Sequence, residues 1–146
     1  MKIKTADLIG PALDWAVAEC LEATRIQLYE YNGRRMIRVS LPEGIHAPWE
    51  PSCYWGQGGP IIEQEALGIG CLGKSAMYAN PWLAARTEDN TDYAGPTPLI
   101  AAMRCFVASR LGDEVDIPEE LRRVPLLTLM FCLLSTKTKL DRGIGG

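Results

Sequence analysis

The dipeptide Asn32-Gly33 constrains the fold more than any other feature of this chain. Both central residues of a type I′ turn need positive φ, which Asn and Gly adopt at low cost. The pair lies between two stretches of alternating apolar and polar residues, so it predicts a β-hairpin over residues 25–40. A two-residue loop also fixes the register of the strands. The predicted pairs are Tyr31 with Arg34, Glu30 with Arg35, Leu28 with Ile37 and Ile26 with Val39.

This register sorts the side chains of the hairpin into two unlike faces. One face is apolar and is expected to be buried; it carries Ile26, Leu28, Ile37 and Val39. The opposite face carries Gln27, Tyr29, Tyr31, Arg34, Met36 and Arg38. The tyrosines and arginines of this second face fit either a solvated surface or a binding surface.

Two helices are predicted to cover the sheet that contains this hairpin. The first lies near residues 6–23; Thr5 can cap it, or it can begin at Gly10 instead. The second lies near residues 98–111 and begins at the N-cap residue Thr97. The sequence therefore predicts an α+β fold, in which an antiparallel sheet including the 25–40 hairpin packs against these two helices.

Chain length and composition predict a single α+β domain. The chain has 146 residues, of which 47% are hydrophobic and 23% charged, enough apolar content for one core. We expect this domain to span residues 1–123, with its polar, acidic stretch 86–95 flexible. Residues 124–146 are expected to form a C-terminal extension that either docks on a neighbouring surface or is poorly ordered. Its apolar part, residues 124–134, is shorter than the ~20 residues needed to cross a bilayer.

Charge and cysteine spacing exclude several classes of function. The net charge of −3 argues against a dedicated duplex-DNA binder, which needs a basic surplus to displace counterions. Arginine outnumbers lysine, which suits local capture of phosphate or carboxylate groups. The five cysteines have no metal-ligand spacing, so no metal site is expected and reduced thiols are the default. No signal peptide is evident, and we expect a cytoplasmic location.

A glycine-rich run closes a long segment, residues 41–60, that is predicted to be an ordered loop. The run is Trp55-Gly56-Gln57-Gly58-Gly59-Pro60, and a short helix is expected only after it. One interpretation is architectural, a tight turn that packs Trp55 on the core. In the other interpretation, the run binds a ligand: free backbone N–H groups of Gly58 and Gly59 bind an anion, Trp55 stacks on a base, and Gln57 forms hydrogen bonds with a polar edge of the ligand.

Three further residues extend this predicted binding site. The helix start at Thr97 suits a phosphate group, and Trp82 and Arg104 add an aromatic ring and a cation. The predicted ligand-binding residues are thus Trp55, Gln57, Gly58, Gly59, Trp82, Thr97 and Arg104. No catalytic residue, cofactor or metal ligand is predicted. The expected partner is a small nucleotide-like ligand. We do not expect binding to duplex DNA or to a membrane, and we expect the chain to form a homo-oligomer.

Three motifs in this chain resemble those of a small phage accessory family called NinX-like. They are KTADL and LDWAVA within residues 4–18, W…GGPIIE at residues 55–63 and TPLIAAMRC at residues 97–105. The resemblance extends to about residue 121 and implies a phage or prophage protein acting in a bacterial host. The family has no assigned activity, so it implies no catalytic residues.

Three functional hypotheses follow from these residues. The first is a non-catalytic binder of a small molecule that sequesters a nucleotide-derived defence signal of the host. The second is an inhibitor or adaptor that binds a host protein through residues 124–134. The third is a small hydrolase using Glu63, Glu65 or His46, the single histidine of the chain. We expect a binding protein rather than an enzyme.

Overall fold

The computed structural model describes residues 2–73 and 79–121, and their fold is α+β, as predicted. The helices are α1 (Gly10–Cys20), α2 (Trp55–Gln64) and α3 (Pro98–Leu111). The strands are β1 (Lys2–Lys4), β2 (Arg25–Tyr31), β3 (Arg34–Leu41), β4 (Gly44–His46), β5 (Gly68–Cys71), β6 (Trp82–Arg86), β7 (Thr91–Gly95) and β8 (Glu114–Asp116). Within these residues the strands form three antiparallel sheets, ordered β1-β8, β2-β3-β4 and β5-β6-β7.

The predicted hairpin is confirmed in both its turn and its register. Asn32 and Gly33 have φ values of 52° and 74°, the positive values that a type I′ turn requires. All four predicted residue pairs are present. Ile37 and Val39 of the apolar face are buried, so the hairpin presents the expected face to the core.

The first helix begins at Gly10, the second of the two predicted starts. Thr5 does not cap it, because residues Thr5–Asp7 form a separate turn of 3-10 helix. The Thr5 hydroxyl instead donates a hydrogen bond to the carbonyl oxygen of Gly112, at 2.7 Å. This bond ties the start of the chain to the residue that ends α3.

The glycine-rich run forms the first turns of α2, so the prediction of a loop as far as Pro60 is wrong. The Tyr54 carbonyl accepts hydrogen bonds from the amides of Gln57 at 3.0 Å and Gly58 at 2.9 Å, which closes the first turn. A Cβ atom on Gly58 would lie 2.5 Å from the Pro51 oxygen and 2.6 Å from Leu99 Cδ2. Glycine at this position therefore allows α2 to approach α3 closely.

The stretch 86–95, expected to be flexible, contains strand β7 and the turn before it, and its flexibility stays a prediction. The Asp89 carboxylate accepts a hydrogen bond from the Thr91 amide at 3.1 Å and closes the turn between β6 and β7. At the other end of β7, a Cβ atom on Gly95 would lie 2.6 Å from the Ala101 nitrogen. Close packing on α3 thus defines β7 despite its polar sequence.

Helix α3 lies at the centre of the described residues. Every residue from position 98 to position 107 is buried, so the helix is covered on all sides rather than along one stripe. It contacts α1, α2 and the sheet β5-β6-β7, while α1 also packs on β3. The prediction of one domain over residues 1–123 stays a prediction, and residues 124–146 lie outside the described part of the chain.

Candidate functional site

An open cleft of about 430 Å³ lies between strand β4 and the start of α2. Pockets that bind small molecules commonly have volumes of roughly 300–1,000 Å³. The cleft combines two exposed apolar or aromatic side chains with an imidazole, a carboxylate and an amide. Its lining residues are Ile45, His46, Ala47, Pro48, Glu50, Tyr54 and Gln57.

The side-chain amide of Gln57 holds the wall of the cleft in place. Its Oε1 atom accepts a hydrogen bond from the Glu50 amide at 2.7 Å, and its Nε2 atom donates to the Pro48 carbonyl at 3.0 Å. Both ends of the amide are therefore engaged with the main chain of the segment between β4 and α2. Gln57 lines the cleft as a supporting residue.

The groups that the cleft presents come from Glu50, Tyr54 and His46. The Cys53 thiol donates to Oε2 of Glu50 at 3.6 Å, so one oxygen of this carboxylate is directed toward the buried Cys53. Tyr54 has 42% of its surface exposed. The His46 ring lies 5.4 Å from the Trp49 ring, and its Nε2 atom is 3.8 Å from a carboxylate oxygen of Glu43.

The buried side chain of Asp14 supports the segment between β4 and α2 that lines the cleft. It is 3% exposed, and its Oδ1 atom accepts a hydrogen bond from the Ser52 amide at 2.8 Å. Its main-chain carbonyl accepts from Nε1 of Trp49 at 3.0 Å. Burial raises the pKa of Asp14 to about 8, against the opposing effect of the hydrogen bonds from Ser52, and the nearby Glu50 adds to the rise. Asp14 is therefore mainly protonated at neutral pH.

Positive charge flanks the cleft on the side of the hairpin. Arg34 and Glu50 both line a second, narrower cavity of about 20 Å³. The pKa of Tyr29 is raised by burial and by Glu50, and is lowered by Arg38 and Arg34, so these groups share one electrostatic neighbourhood. The Tyr and Arg face of the hairpin thus adjoins the cleft.

Two residues of the predicted ligand site, Thr97 and Arg104, are buried and hydrogen-bonded to the main chain, and their predicted role in binding stays a prediction. Thr97 is 3% exposed and caps α3, because its Oγ1 atom accepts a hydrogen bond from the Ile100 amide at 3.1 Å. Arg104 is 6% exposed and donates from Nε to the Leu8 carbonyl at 2.8 Å and from an Nη atom to the Ala94 carbonyl at 2.9 Å. Burial lowers the pKa of Arg104.

The remaining predicted residues lie on α2 and β6. Trp55 is half-buried at the first position of α2, and Gly58 and Gly59 follow within that helix. The Gly58 amide donates to the Tyr54 carbonyl, so it is engaged within the protein. Trp82 is half-buried at the start of β6 and packs against the core. That these residues bind a ligand stays a prediction.

The sequence alone does not identify most of the residues that line the cleft. The sequence pattern assigns no role to Glu50 or Tyr54, and it points to His46 only as a catalytic candidate. The signal that could have found them is the Pro- and Trp-rich composition of residues 47–55, which is typical of an ordered functional segment. The carboxylate cannot be singled out from sequence because its neighbours in space, Cys53 and Gln57, are placed by the unpredicted first turn of α2.

Comparison with known protein families gives a match over most of the chain. A family model described as "Bacteriophage P22, NinX" matches residues 4–110, which include the cleft and the three sequence motifs. No curated protein gives a significant match. Across residues 2–73 and 79–121, no helix has the length and apolarity to cross a membrane. The same residues contain no group of three or more His, Cys, Asp or Glu side chains placed to hold a metal ion.

Proposed function

The chain belongs to the family described as Bacteriophage P22, NinX, and on that premise we propose that it is a phage-encoded, non-catalytic binder of small molecules. The binding site is the cleft between β4 and α2. The observation that carries this proposal is the combination of an open volume of about 430 Å³ with an exposed tyrosine and an oriented carboxylate. Small-molecule sites typically pair such surfaces with a few fixed polar groups.

The wall of this cleft is held in position without a ligand. Gln57 binds the main chain at Pro48 and Glu50, and Asp14 binds it at Ser52. The Trp49 indole adds a bond back to the carbonyl of Asp14. A pre-organised wall supports binding because little conformational entropy is lost when the ligand enters.

The chemistry of the cleft favours a nucleotide-like ligand. The exposed ring of Tyr54 offers a face on which a planar base can stack. Arg34 and Arg38 supply positive charge on the adjoining face of the hairpin, where phosphate groups would be attracted. In a phage protein, we propose that binding sequesters a nucleotide-derived signal in the cytoplasm of the bacterial host.

Two observations favour binding over hydrolysis. Glu65, one of the carboxylates considered for catalysis, is engaged by Arg86 at 3.1 Å and by Arg110 at 2.6 Å. Its side chain is 10% exposed, which makes it the centre of an ion-pair cluster rather than a base in a cleft. His46 lies against Trp49 and faces Glu43, without a nucleophile placed beside it among the contacts described.

Isothermal titration calorimetry of the full chain against linear nucleotides, cyclic nucleotides and ADP-ribose tests the proposal. We expect at least one of them to bind at tens of micromolar protein and to be recovered intact after denaturation. The variant Tyr54→Ala should weaken binding at least about fivefold, because stacking contributes roughly 1–3 kcal/mol per base. Leu111→Ala is the control, since Leu111 is 40% exposed at the end of α3 and is not part of the cleft lining. Absence of binding to every nucleotide would refute the proposal.

A second candidate function is binding to a host protein. Ile45, which is 59% exposed, lines the cleft together with Tyr54, and this exposed apolar surface favours the alternative. The segment 124–134, also predicted to make such a contact, lies outside the described residues. Affinity capture from host lysate with the wild type and with Ile45→Lys separates the alternatives. A protein partner lost in the variant, with no nucleotide bound by either, would favour the second function.

A further inference from the structure

Strand β2 lies at an edge of the sheet β2-β3-β4. Across residues 2–73 and 79–121, β3 is the one strand that pairs with it, and their register is free of bulges. The seven residues of β2 include no proline and no lysine, and its charged residues, Arg25 and Glu30, lie near its ends. Proline, lysine and bulges commonly protect an edge strand, so β2 is an unprotected template for a further strand.

The outward main-chain groups of β2 follow from the geometry of the hairpin. In a two-residue hairpin the pair beside the turn is hydrogen-bonded, and bonded pairs then alternate along the ladder. The N–H and C=O groups of Ile26, Leu28 and Glu30 therefore point away from β3. The Ile37 carbonyl on β3, which by the same alternation points away from β2, accepts a hydrogen bond from the Trp49 amide at 2.7 Å.

The apolar face of the hairpin is incompletely covered at this edge. On β3, Ile37 and Val39 are 1% and 0% exposed, whereas their partners on β2, Leu28 and Ile26, are only half-buried. A groove of about 220 Å³ adjoins the edge, and its lining residues are Leu28, Tyr29, Glu30, Arg35 and Glu120. Apolar surface beside outward main-chain groups indicates an interaction surface.

We propose that β2 pairs antiparallel with β2 of a second copy of the chain, about a twofold axis at Leu28. Leu28 then lies opposite the partner's Leu28, and Ile26 lies opposite the partner's Glu30. This register uses the whole strand and joins the outward-pointing residues of the two copies to one another. Shifting the register by two residues leaves one end of each strand unpaired. The strand is therefore complementary to itself, which favours a second copy over another partner.

The side chains of the two strands are compatible in this arrangement. Arg25 lies opposite the partner's Tyr31, which is 63% exposed, and a guanidinium group stacks favourably on such a ring. No two residues of like charge face each other directly. The partner's Ile26 lies at the groove beside Glu30 and covers apolar surface there. The inference assigns an interface to the expected homo-oligomer and does not depend on nucleotide binding.

Disulfide trapping in the full chain tests the register. Leu28→Cys brings two thiols together across the axis, where the Cα atoms of a bonded pair are about 5.5 Å apart, a distance that a disulfide can span. Ile26→Cys is the matched control: it is half-buried on the same face, but its two copies are four residues apart along the strands, ~14 Å. Under mild oxidation we expect a covalent dimer of Leu28→Cys, and only the background level of the wild type in Ile26→Cys.

Sedimentation equilibrium measures the association itself. The wild type should reach twice the 16.1 kDa mass of the chain at tens of micromolar protein. Glu30→Pro removes an outward N–H group and no bond to β3. It should raise the dimer dissociation constant at least about fivefold, because one hydrogen bond is lost in each half of the interface. Glu30→Gln keeps that N–H group and should change the constant by less than about twofold, since the ion pair with Arg35 at 3.7 Å is exposed.

Each outcome supports or overturns the proposal. A monomeric wild type overturns it in favour of a different occupant of this edge. Equal trapping of the two cysteine variants overturns the register, and a dimer unaffected by a folded Glu30→Pro places the interface elsewhere. Circular dichroism checks the fold of every variant, and if Glu30→Pro does not fold, the trapping result decides.

Discussion

Asp14 makes the free energy of unfolding depend on pH in the direction opposite to that of an ion-paired carboxylate. Burial raises its pKa from 3.8 to about 8 in the folded protein, whereas the unfolded chain has an ordinary value. Between these two pKa values the folded state keeps a proton that the unfolded state has released. Raising the pH therefore favours unfolding, and the protein is expected to be more stable at pH 5 than at pH 7 as far as this group is concerned.

The size of the effect follows from the difference between the folded and unfolded pKa values. Inside that window the unfolded state binds about one proton fewer than the folded state, so stability should fall by about 1.4 kcal/mol for each rise of one in pH. Between pH 5 and pH 7 the loss is about 3 kcal/mol. That is a large part of the total stability of a typical domain, which is roughly 5–15 kcal/mol.

The variant Asp14→Asn isolates this contribution. Asparagine stays neutral at every pH and keeps the Oδ1 acceptor that the Ser52 amide needs. Urea unfolding of both proteins at pH 5, 6, 7 and 8, followed by tryptophan fluorescence, gives their free energies of unfolding. The value for the wild type minus that for Asp14→Asn should fall by about 3 kcal/mol from pH 5 to pH 7.

Asp92→Asn is the control, because Asp92 is exposed on β7. Its difference from the wild type should change by less than about 0.5 kcal/mol over the same range. A pH-independent difference between the wild type and Asp14→Asn would show that Asp14 is not a protonated, buried acid. The reasoning from burial to linkage would then be wrong.

Three further changes test the packing around α2 and α3, each by urea unfolding. Gly58→Ala should lower the free energy of unfolding by about 1–3 kcal/mol, because its Cβ meets neighbours at 2.5 and 2.6 Å. Gly59→Ala is its control and should change stability by less than about 1 kcal/mol, because a Cβ there has nothing within 4 Å. Equal effects of the two substitutions would contradict this reasoning. Thr97→Ala should cost about 1 kcal/mol through loss of the N-cap, and Thr97→Ser should restore most of it. Arg104→Lys should cost about 2–3 kcal/mol, since one ammonium group cannot reproduce the two-pronged contact with buried carbonyls, and a neutral result would mean that water replaces the lost bond.

The hairpin shows what sequence can predict when the determinants are local. Asn32 and Gly33 alone specify the turn, and the turn then specifies every pair along the two strands. The cap at Thr97 is equally local, because its partner is only three residues away. Family membership can also be predicted from sequence, since its motifs are contiguous runs.

The cleft depends on contacts that no local pattern encodes. Three glycines and a proline lower helix propensity, yet α2 begins at Trp55 because Gly58 fits against residue 51 and α3. The sequence pattern at Asp14 suggests only a helical position. Its bond to Ser52 joins residues 38 positions apart, and the burial that comes with this long-range pairing both raises the pKa of Asp14 and supports the cleft.

The pairing of β1 with β8 has a consequence for the order in which the molecule folds. The Thr5–Gly112 bond beside it joins residues 107 positions apart, so closing this sheet brings distant parts of the chain together. The β2–β3 hairpin, by contrast, closes over two residues and can form early. We expect β1 and β8 to associate last and to separate first. Amide hydrogen exchange should then be faster in β1 and β8 than in α3, and equal protection would show that the sheet opens only with the whole fold.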